Sequence, residues 1–337
     1  MARVLSYNIL AGGYNVRNNT RRTEQLIKVI RSADPDVVGL PEGIHQQMKE
    51  KPLVVEEIAE ALGMQLIKGG IPACHTDYQT ALLTRLPIVY TKSYERPGLA
   101  RPLLEVCVEE SAGQQLTVFL THLSAAFNHG WAGSHIRMRE MRMIVDIMAP
   151  LRAENRPHLL MGDFNSLAPK DTFKASNLLK YVVRLDNRLP ANGQNDGNPH
   201  MGSVLPPQLR LLAPLLRYTA QHEWLCSLFD RAAYFYAPRG CIQMLREQYE
   251  DCFRYKYPQE PGFTCPAAAP AGRIDYIFAN QILAERLREC FVVSCGEDDL
   301  PASAASDHLP VCVDFAPVPS TLSAVHEMVE EAATHQP

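Results

Sequence analysis

Thr80-Ala81-Leu82-Leu83-Thr84, Ile88-Val89-Tyr90-Thr91-Lys92-Ser93-Tyr94, Leu103-Leu104-Glu105-Val106-Cys107-Val108 and Leu116-Thr117-Val118-Phe119-Leu120-Thr121 succeed one another with no helical pattern between them. Their length and their β-branched and aromatic content predict strands. Upstream stand a strand Val4–Leu10, a helix Thr23–Arg31 stopped by Asp34-Pro35, a strand Asp36–Leu40, a helix Val54–Leu62 closed by Gly63, and a short strand Leu66–Lys68. Downstream come a helix Ile136–Met148 and strands His158–Met161, Ile274–Phe278, Phe291–Ser294 and Val311–Phe315. A doubly wound fold would alternate strand and helix throughout. Consecutive strands flanked by few helices suit an α+β fold of two sheets packed face to face with helices outside.

The chain has 337 residues, of which 46% are hydrophobic and 21% charged, and a net charge of −4. This is an ordinary globular composition, and it excludes disordered, collagen-like and coiled-coil chains. The acidic balance argues against a protein that holds nucleic acid by bulk positive charge. No stretch approaches the roughly 18 apolar residues of a membrane span, and the N-terminus carries no signal-like segment. Nine cysteines without a Cys-x-x-Cys pair fit free thiols in a reducing cytoplasm better than a disulfide framework or a zinc site. One core domain over 1–316 is expected, monomeric, with a helical excursion at about 187–271 and a tail or helix over 317–337. The excursion opens on a Gly/Asn/Pro-rich loop at Asn192–Pro199 and continues in helical stretches Gln208–Thr219, Glu223–Tyr234 and Cys241–Phe253.

Polar clusters stand where the apolar runs stop: Tyr7-Asn8, Pro41-Glu42-Gly43, Thr121-His122-Leu123-Ser124, Gly162-Asp163-Phe164-Asn165-Ser166, Arg273-Ile274-Asp275-Tyr276 and Ser306-Asp307-His308-Leu309-Pro310. Each alone has a plain explanation; Gly-Asp-x-Asn after a strand, for instance, is an ordinary turn sequence. Their coincidence in a two-sheet pattern points to metal-assisted phosphate hydrolysis. Mg²⁺ takes hard oxygen ligands, one or two carboxylates with water and substrate phosphate. Glu42, Asp163 and Asp307 can supply carboxylates, and Asn8 and Asn165 neutral amides. His122 and His308 can donate hydrogen bonds to a phosphoryl oxygen, and Asp275 can raise the pKa of His308 and fix its tautomer.

The ordered set Ser-Tyr-Asn-Ile-Leu, Leu-Pro-Glu, Thr-His-Leu-Ser, Gly-Asp-Phe-Asn-Ser, Arg-Ile-Asp-Tyr-Ile-Phe and Ser-Asp-His-Leu-Pro-Val, spread from Val4 to Phe315, resembles the endonuclease/exonuclease/phosphatase superfamily. That group includes deoxyribonucleases, abasic-site endonucleases, neutral sphingomyelinases and inositol-polyphosphate phosphatases. The resemblance implies a four-layer α/β/β/α sandwich of two mainly antiparallel sheets with the site at one rim. It implies Glu42 as principal metal ligand with Asn8 beside it, and Asp307 near the metal or a second metal. Asp163 would orient or deprotonate the attacking water, and Asn165 would hold that water or a phosphoryl oxygen. His122 would contact the scissile phosphate, and His308, paired with Asp275, would stabilise the pentacovalent state or serve in acid–base transfer. The expected cofactor is Mg²⁺, with Mn²⁺ as the alternative. The expected activity is that of a phosphodiesterase or phosphatase, the former ahead, on a phosphoester substrate: a small molecule, a lipid head group or nucleic acid. The other readings are a DNA or RNA nuclease and a non-catalytic binding protein on the same fold.

The sequence departs from the family pattern at Pro41, where Gln is usual, and ahead of Ala81, where a Gly is missing. Asp77 is a candidate support for His122. Arg85 is a candidate phosphate-facing residue, and Trp131, in the expected His129-Gly130-Trp131 loop, a candidate stacking residue for a base or sugar.

Overall fold

The computed structural model describes residues 2–15, 19–74, 77–111, 113–125, 130–186, 211–237 and 239–317. Neighbouring residues along its central strands enter different cores. Val4, Val37 and Leu82 face one cluster, whereas Leu5, Val38, Ala81 and Leu83 face another. Val118, Leu120, Leu159, Met161 and Ile277 join the first cluster, and Phe119, Leu160, Tyr276 and Phe278 enter a third. Strands buried on both faces read as continuous apolar runs, because alternation sorts side chains between two oily layers instead of between oil and water.

Two six-stranded sheets result. One has the order β11-β12-β1-β2-β4-β3, built from β1 (Ala2–Ser6), β2 (Val37–His45), β3 (Gln65–Lys68), β4 (Tyr78–Thr84), β11 (Leu287–Val292) and β12 (Val311–Phe315). The other has the order β5-β6-β7-β8-β10-β9, built from β5 (Ile88–Tyr94), β6 (Leu103–Ser111), β7 (Gln114–His122), β8 (His158–Asp163), β9 (Glu250–Asp251) and β10 (Asp275–Ala279). Each sheet is antiparallel except for one central parallel pair, β1 with β2 and β7 with β8. Parallel neighbours need a crossover, and helices α1 (Thr23–Ala33) and α3 (Gly130–Ala153) supply it.

Leu26, Val29 and Ile30 of α1, with Val54, Val55 and Ile58 of α2 (Val54–Leu62), cover the outer face of the first sheet. Met141, Ile144 and Met148 of α3, with Ile242 and Leu245 of α7 (Gly240–Arg246), cover the second. The layers are therefore α/β/β/α, as the resemblance implied. Both early helices end in left-handed caps: Asp34 (φ 43°) ahead of Pro35, and Gly63 (φ 63°), whose N–H reaches the carbonyls of Ala59 and Glu60.

Beyond α4 (Ala175–Asp186) come α5 (Ala213–Gln221) and α6 (Glu223–Tyr236). Leu179, Val182 and Val183 of α4 pack on Leu216, Ala220 and Phe229 of the hairpin in a small core of their own. Short helices α8 (Cys252–Lys256) and α9 (Gln281–Ala284) flank β10. The Asn192–Pro199 loop and residues 318–337 lie outside the described residues.

Several boundaries moved for identifiable reasons. β1 stops at Ser6 instead of Leu10, because the chain turns left-handed at Leu10 (φ 51°) and Ala11 (φ 54°). β2 runs on through Pro41 to His45, with a register shift between Leu40 and Ile44. A bulge is one of the few places where a strand tolerates a residue without an N–H. β11 occupies 287–292 instead of 291–294, its early half disguised by exposed Arg288 and half-buried Glu289. No helix among the described residues is long and apolar enough to cross a membrane.

Candidate active site

In a sheet with parallel strands, the carboxyl ends of those strands collect at one rim. Here β1 and β2 deliver Asn8 and Glu42 to that rim, and β7 and β8 end on His122 and Asp163, which face each other in register. β10 starts there too, since Asp275 pairs with Asp163. His308 stands three residues before Val311, the β12 partner of Ser6. Six segments of the chain thus converge where the two sheets meet.

Asn8 joins the two carboxylates. Its Nδ2 donates to Glu42 Oε1 at 3.2 Å and to Asp163 Oδ2 at 3.0 Å, while its Oδ1 accepts from the Leu10 N–H at 3.0 Å. Glu42 Oε2 accepts from the Ala11 N–H at 2.9 Å. That N–H is aimed by the run of left-handed residues from Leu10 to Gly13, a conformation that costs energy in non-glycine residues and clusters at functional sites. Arg22 holds the run in place, donating to the carbonyls of Ile9 (2.7 Å), Leu10 (2.6 Å), Tyr14 (3.1 Å) and Ala305.

Asp163 is tied on its other oxygen by the Asn165 N–H at 2.8 Å. Asn165 takes a left-handed φ of 47°, which Asn tolerates better than most residues, and its Nδ2 donates to Leu123 O at 2.9 Å. His122 Nε2 lies 3.6 Å from Asp163 Oδ2 and 3.8 Å from Glu42 Oε1. His308 Nε2 approaches the same Asp163 oxygen at 3.8 Å, and its Nδ1 bonds Asp275 Oδ2 at 2.8 Å. Thr264 Oγ1 accepts the N–H groups of Ile274 and Asp275. Ser306 Oγ donates to Asn8 O at 2.7 Å and so moors the Ser306-Asp307-His308 turn to the end of β1. Asp307 is exposed at the mouth, near enough to raise the pKa of Glu42.

Burial pushes Glu42 above the usual carboxylate range, opposed by the Ala11 N–H. Burial, reinforced by Asp275, raises Asp163 to about 7. His122 is held neutral, its pKa well below the ordinary value, by burial and then by Arg101 and His308. Burial works against protonation of His308 as well, but Asp275, Cys265 and Asp307 outweigh it and set its pKa well above the ordinary value. The two histidines are thus biased in opposite directions, His122 toward its neutral form and His308 toward its protonated one.

Glu42, Asp163, Asp307, His122, His308, Asn8, Asn165 and Asp275 come together, although Asn8 turns its NH₂ toward the carboxylates and its oxygen toward Leu10. Arg85 does not join them. It pairs with Asp34 at 2.9 Å and lies near Asp36, both ahead of β2, whereas Glu42 lies near the other end of that strand. Arg85 is thus at the opposite rim, about 20 Å away at 3.3 Å per residue. Gly130 and Trp131 begin α3 instead of forming a loop; His129 and the Trp131 side chain lie outside the described residues. Asp77 does not touch His122. It accepts from Arg101 Nε at 2.6 Å, and Arg101 Nη1 in turn donates to the carbonyls of His122 and Leu123. Arg101 is a site-building residue with no sequence signal, one of two arginines in a Pro-rich loop. Tyr78, stacked on His122 with centroids 6.4 Å apart, likewise belongs to no motif.

The donor set fits a hard divalent cation. Glu42 and Asp163 are buried carboxylates brought close enough to share one amide, and burial disfavours their charged forms, a combination that a bound cation relieves. Ligand atoms of Asp163, Asp275 and His308 also lie within 4.8 Å of one another.

Residues 5–308 match the Endonuclease/Exonuclease/phosphatase family. The chain belongs to this family. Its members typically hydrolyse phosphoester bonds and generally depend on a divalent metal. No curated protein matches the sequence. Among solved structures the fold is similar to an AP endonuclease from Archaeoglobus fulgidus (14% identity, TM-score 0.55, covering 94% of this chain and 99% of the other). It is also similar to the 3′ phosphatase NExo from Neisseria bound to a product DNA hairpin (14%, TM-score 0.53, 94% and 100%). A third similar structure is the human Nocturnin catalytic domain with bound sulfate (14%, TM-score 0.53, 94% and 93%). At these identities the likeness shows the fold.

Proposed function

We propose that this protein is a Mg²⁺- or Mn²⁺-dependent phosphodiesterase that hydrolyses its ester by in-line attack of water. The observation that carries this reading is Asn8 bridging Glu42 and Asp163 at the rim where His122 and the Asp275–His308 pair also end. Glu42 and Asp307 would hold the cation, with Asn8 aligning Glu42 against Asp163. When bound, the cation supplies charge neutralisation at the phosphate and the departing oxygen.

Asp163 accepts the proton of the attacking water, and Asn165 keeps that carboxylate oriented through its backbone N–H. His122 and His308 direct their Nε2 atoms at the space beside Asp163, where they donate to phosphoryl oxygens as negative charge grows. Asp275 fixes the tautomer and charge of His308. The bond from water oxygen to phosphorus forms on one side as the ester P–O bond breaks on the other.

A non-catalytic family member would need none of this set, and the chain carries all of it. A nuclease is the other reading, favoured by the DNA hairpin bound to the similar NExo structure. The net charge of −4 favours a smaller diester.

Bis(p-nitrophenyl) phosphate turnover with Mg²⁺, Mn²⁺ or EDTA tests the class. Asp163→Asn and His308→Gln are expected to lower kcat by about 10²–10⁴ with the fold intact. Full turnover in either variant, or in EDTA, overturns the proposal. A panel of DNA, RNA, sphingomyelin, glycerophosphodiesters and p-nitrophenyl phosphate then ranks the substrates.

A further inference from the structure

Of the twelve large apolar side chains exposed among the described residues, seven fall between 211 and 235. They form two stripes at helical spacing. Leu211, Leu215 and Tyr218 run along the start of the hairpin and α5, and Trp224, Leu228 and Phe235 run along α6. Leu211 is 89% exposed, Phe235 82% and Trp224 67%. The opposite faces of both helices are already spent on α4, through Leu216, Ala220 and Phe229. A helical hairpin apolar on both sides is unusual for a surface excursion, and aromatic residues interleaved with leucine are the composition of helices that lie in a membrane interface.

The charges around the stripes point the same way. Each acid of the bundle is engaged: Asp186 by Arg217 at 2.8 Å, Glu223 by Lys180 at 2.6 Å, and Asp230 by the backbone N–H and hydroxyl of Ser176 at 2.7 and 3.0 Å. Among the described residues, the charges here without an ion pair, Lys170, Arg184 and Arg231, are all positive, and Arg231 sits within the second stripe, between Leu228 and Phe235.

Where that stripe ends there is a cleft of about 440 Å³ lined by Lys170, Thr172, Phe173, Arg231, Tyr234 and Phe235. Two acids also line it, but Asp171 is held by Arg254 and Arg273, and Asp230 by Ser176. A cationic, aromatic cleft joined to an apolar stripe matches a ligand with an anionic head and an apolar body. We infer that the α5–α6 hairpin docks this protein on a lipid bilayer carrying anionic head groups, with the Lys170–Arg231 cleft seating a head group.

The hairpin hangs from a wall of the active site. Lys174 N bonds Ala271 O and Asn177 Nδ2 bonds Pro270 O, while Ala267 N, in the same segment, bonds Asp307 O. Docking would therefore hold the site close to the membrane surface.

The test uses the full chain with Trp131→Phe, which leaves Trp224 as the only tryptophan. With mixed phosphatidylcholine–phosphatidylglycerol vesicles, the expected results are co-sedimentation and a blue shift of Trp224 emission. Affinity for phosphatidylcholine alone should be at least about tenfold weaker. Leu215→Ser/Leu228→Ser/Phe235→Ser should lower vesicle affinity by about a hundredfold and leave turnover of the soluble diester unchanged. Arg231→Glu should remove most of the preference for phosphatidylglycerol. Because binding and soluble turnover are read separately, the docking surface can fail while the hydrolase reading stands, and the reverse. The inference is overturned if the parent protein ignores both vesicles or the triple variant binds as well as its parent. It is equally overturned if the stripes instead drive a dimer in ultracentrifugation without vesicle binding, or if binding appears only after deletion of residues 187–210.

Discussion

Gly162 has a φ of 142°, and a Cβ there would lie 1.9 Å from Thr121 O. That carbonyl belongs to the neighbouring strand, so no rotamer change relieves the clash. Gly162→Ala is expected to lose more than about 3 kcal/mol of stability, read as a lower urea midpoint, with turnover lost as Asp163 shifts. An unchanged midpoint would contradict this backbone geometry. The same residue explains how far the motifs could be read. Gly162-Asp163-Phe164-Asn165 looks like a turn in isolation, whereas Gly162 lies inside β8 and lets that strand run close to β7 up to Asp163. The groups proposed to do chemistry are particular residue types at strand ends, so Glu42, His122, Asp163 and His308 are visible in the sequence. Groups that only position them are not. Arg101 grips two backbone carbonyls, a task with no spacing rule, and Arg85 misled because closeness to a strand does not reveal which rim that end of the strand reaches.

At the scale of elements, β9 and α8 are secured to the second sheet by a buried ion network that no pattern announced. Arg273 donates to both oxygens of Asp251 at 2.7 Å and to Asp171 at 2.8 Å; Arg246 and Arg254 complete it. Burial opposes ionisation of Asp251, but Arg273 and Arg246 outweigh it and bring its pKa down to about 2. An unfolded aspartate titrates near 3.9. Asp251 therefore contributes about 2–3 kcal/mol of stability above about pH 4, which is lost as the pH falls through about 2. Wild-type stability should drop over that window, and Asp251→Asn should be weaker at pH 7 by about 3–5 kcal/mol, with its buried arginines left uncompensated. Equal stability of the two proteins at pH 7 in urea titrations would remove the network from the account of the fold. Element types were legible wherever apolar runs were long. β9, with two residues, offers no period to detect, and α4 lies where no element was expected even though Leu179, Val182 and Val183 carry helical spacing.

For the molecule as a whole, the cores lie between and outside the sheets, while the charged site sits at one rim. A cation binding there should add to stability without being required for folding. Mg²⁺ at about 100 times its Kd should contribute about 2.7 kcal/mol, raising Tm by about 4 °C, and Glu42→Gln should abolish the rise. A shift that survives in Glu42→Gln would place the ion elsewhere. The acidic net charge looks different in this light, because part of it is gathered at the rim, where the proposed cation would offset it. β1 lies between β2 and β12, pairing with the latter from Ala2–Phe315 to Ser6–Val311. As the chain leaves the ribosome, β1 emerges before the other strands, yet one of its edges stays bare until residue 315 has been translated. A product terminated before that point would lack the strand that positions His308 and would expose an unpaired edge to its neighbours. A chain cut ahead of β12 is therefore expected to be both inert and prone to aggregate through the open side of β1.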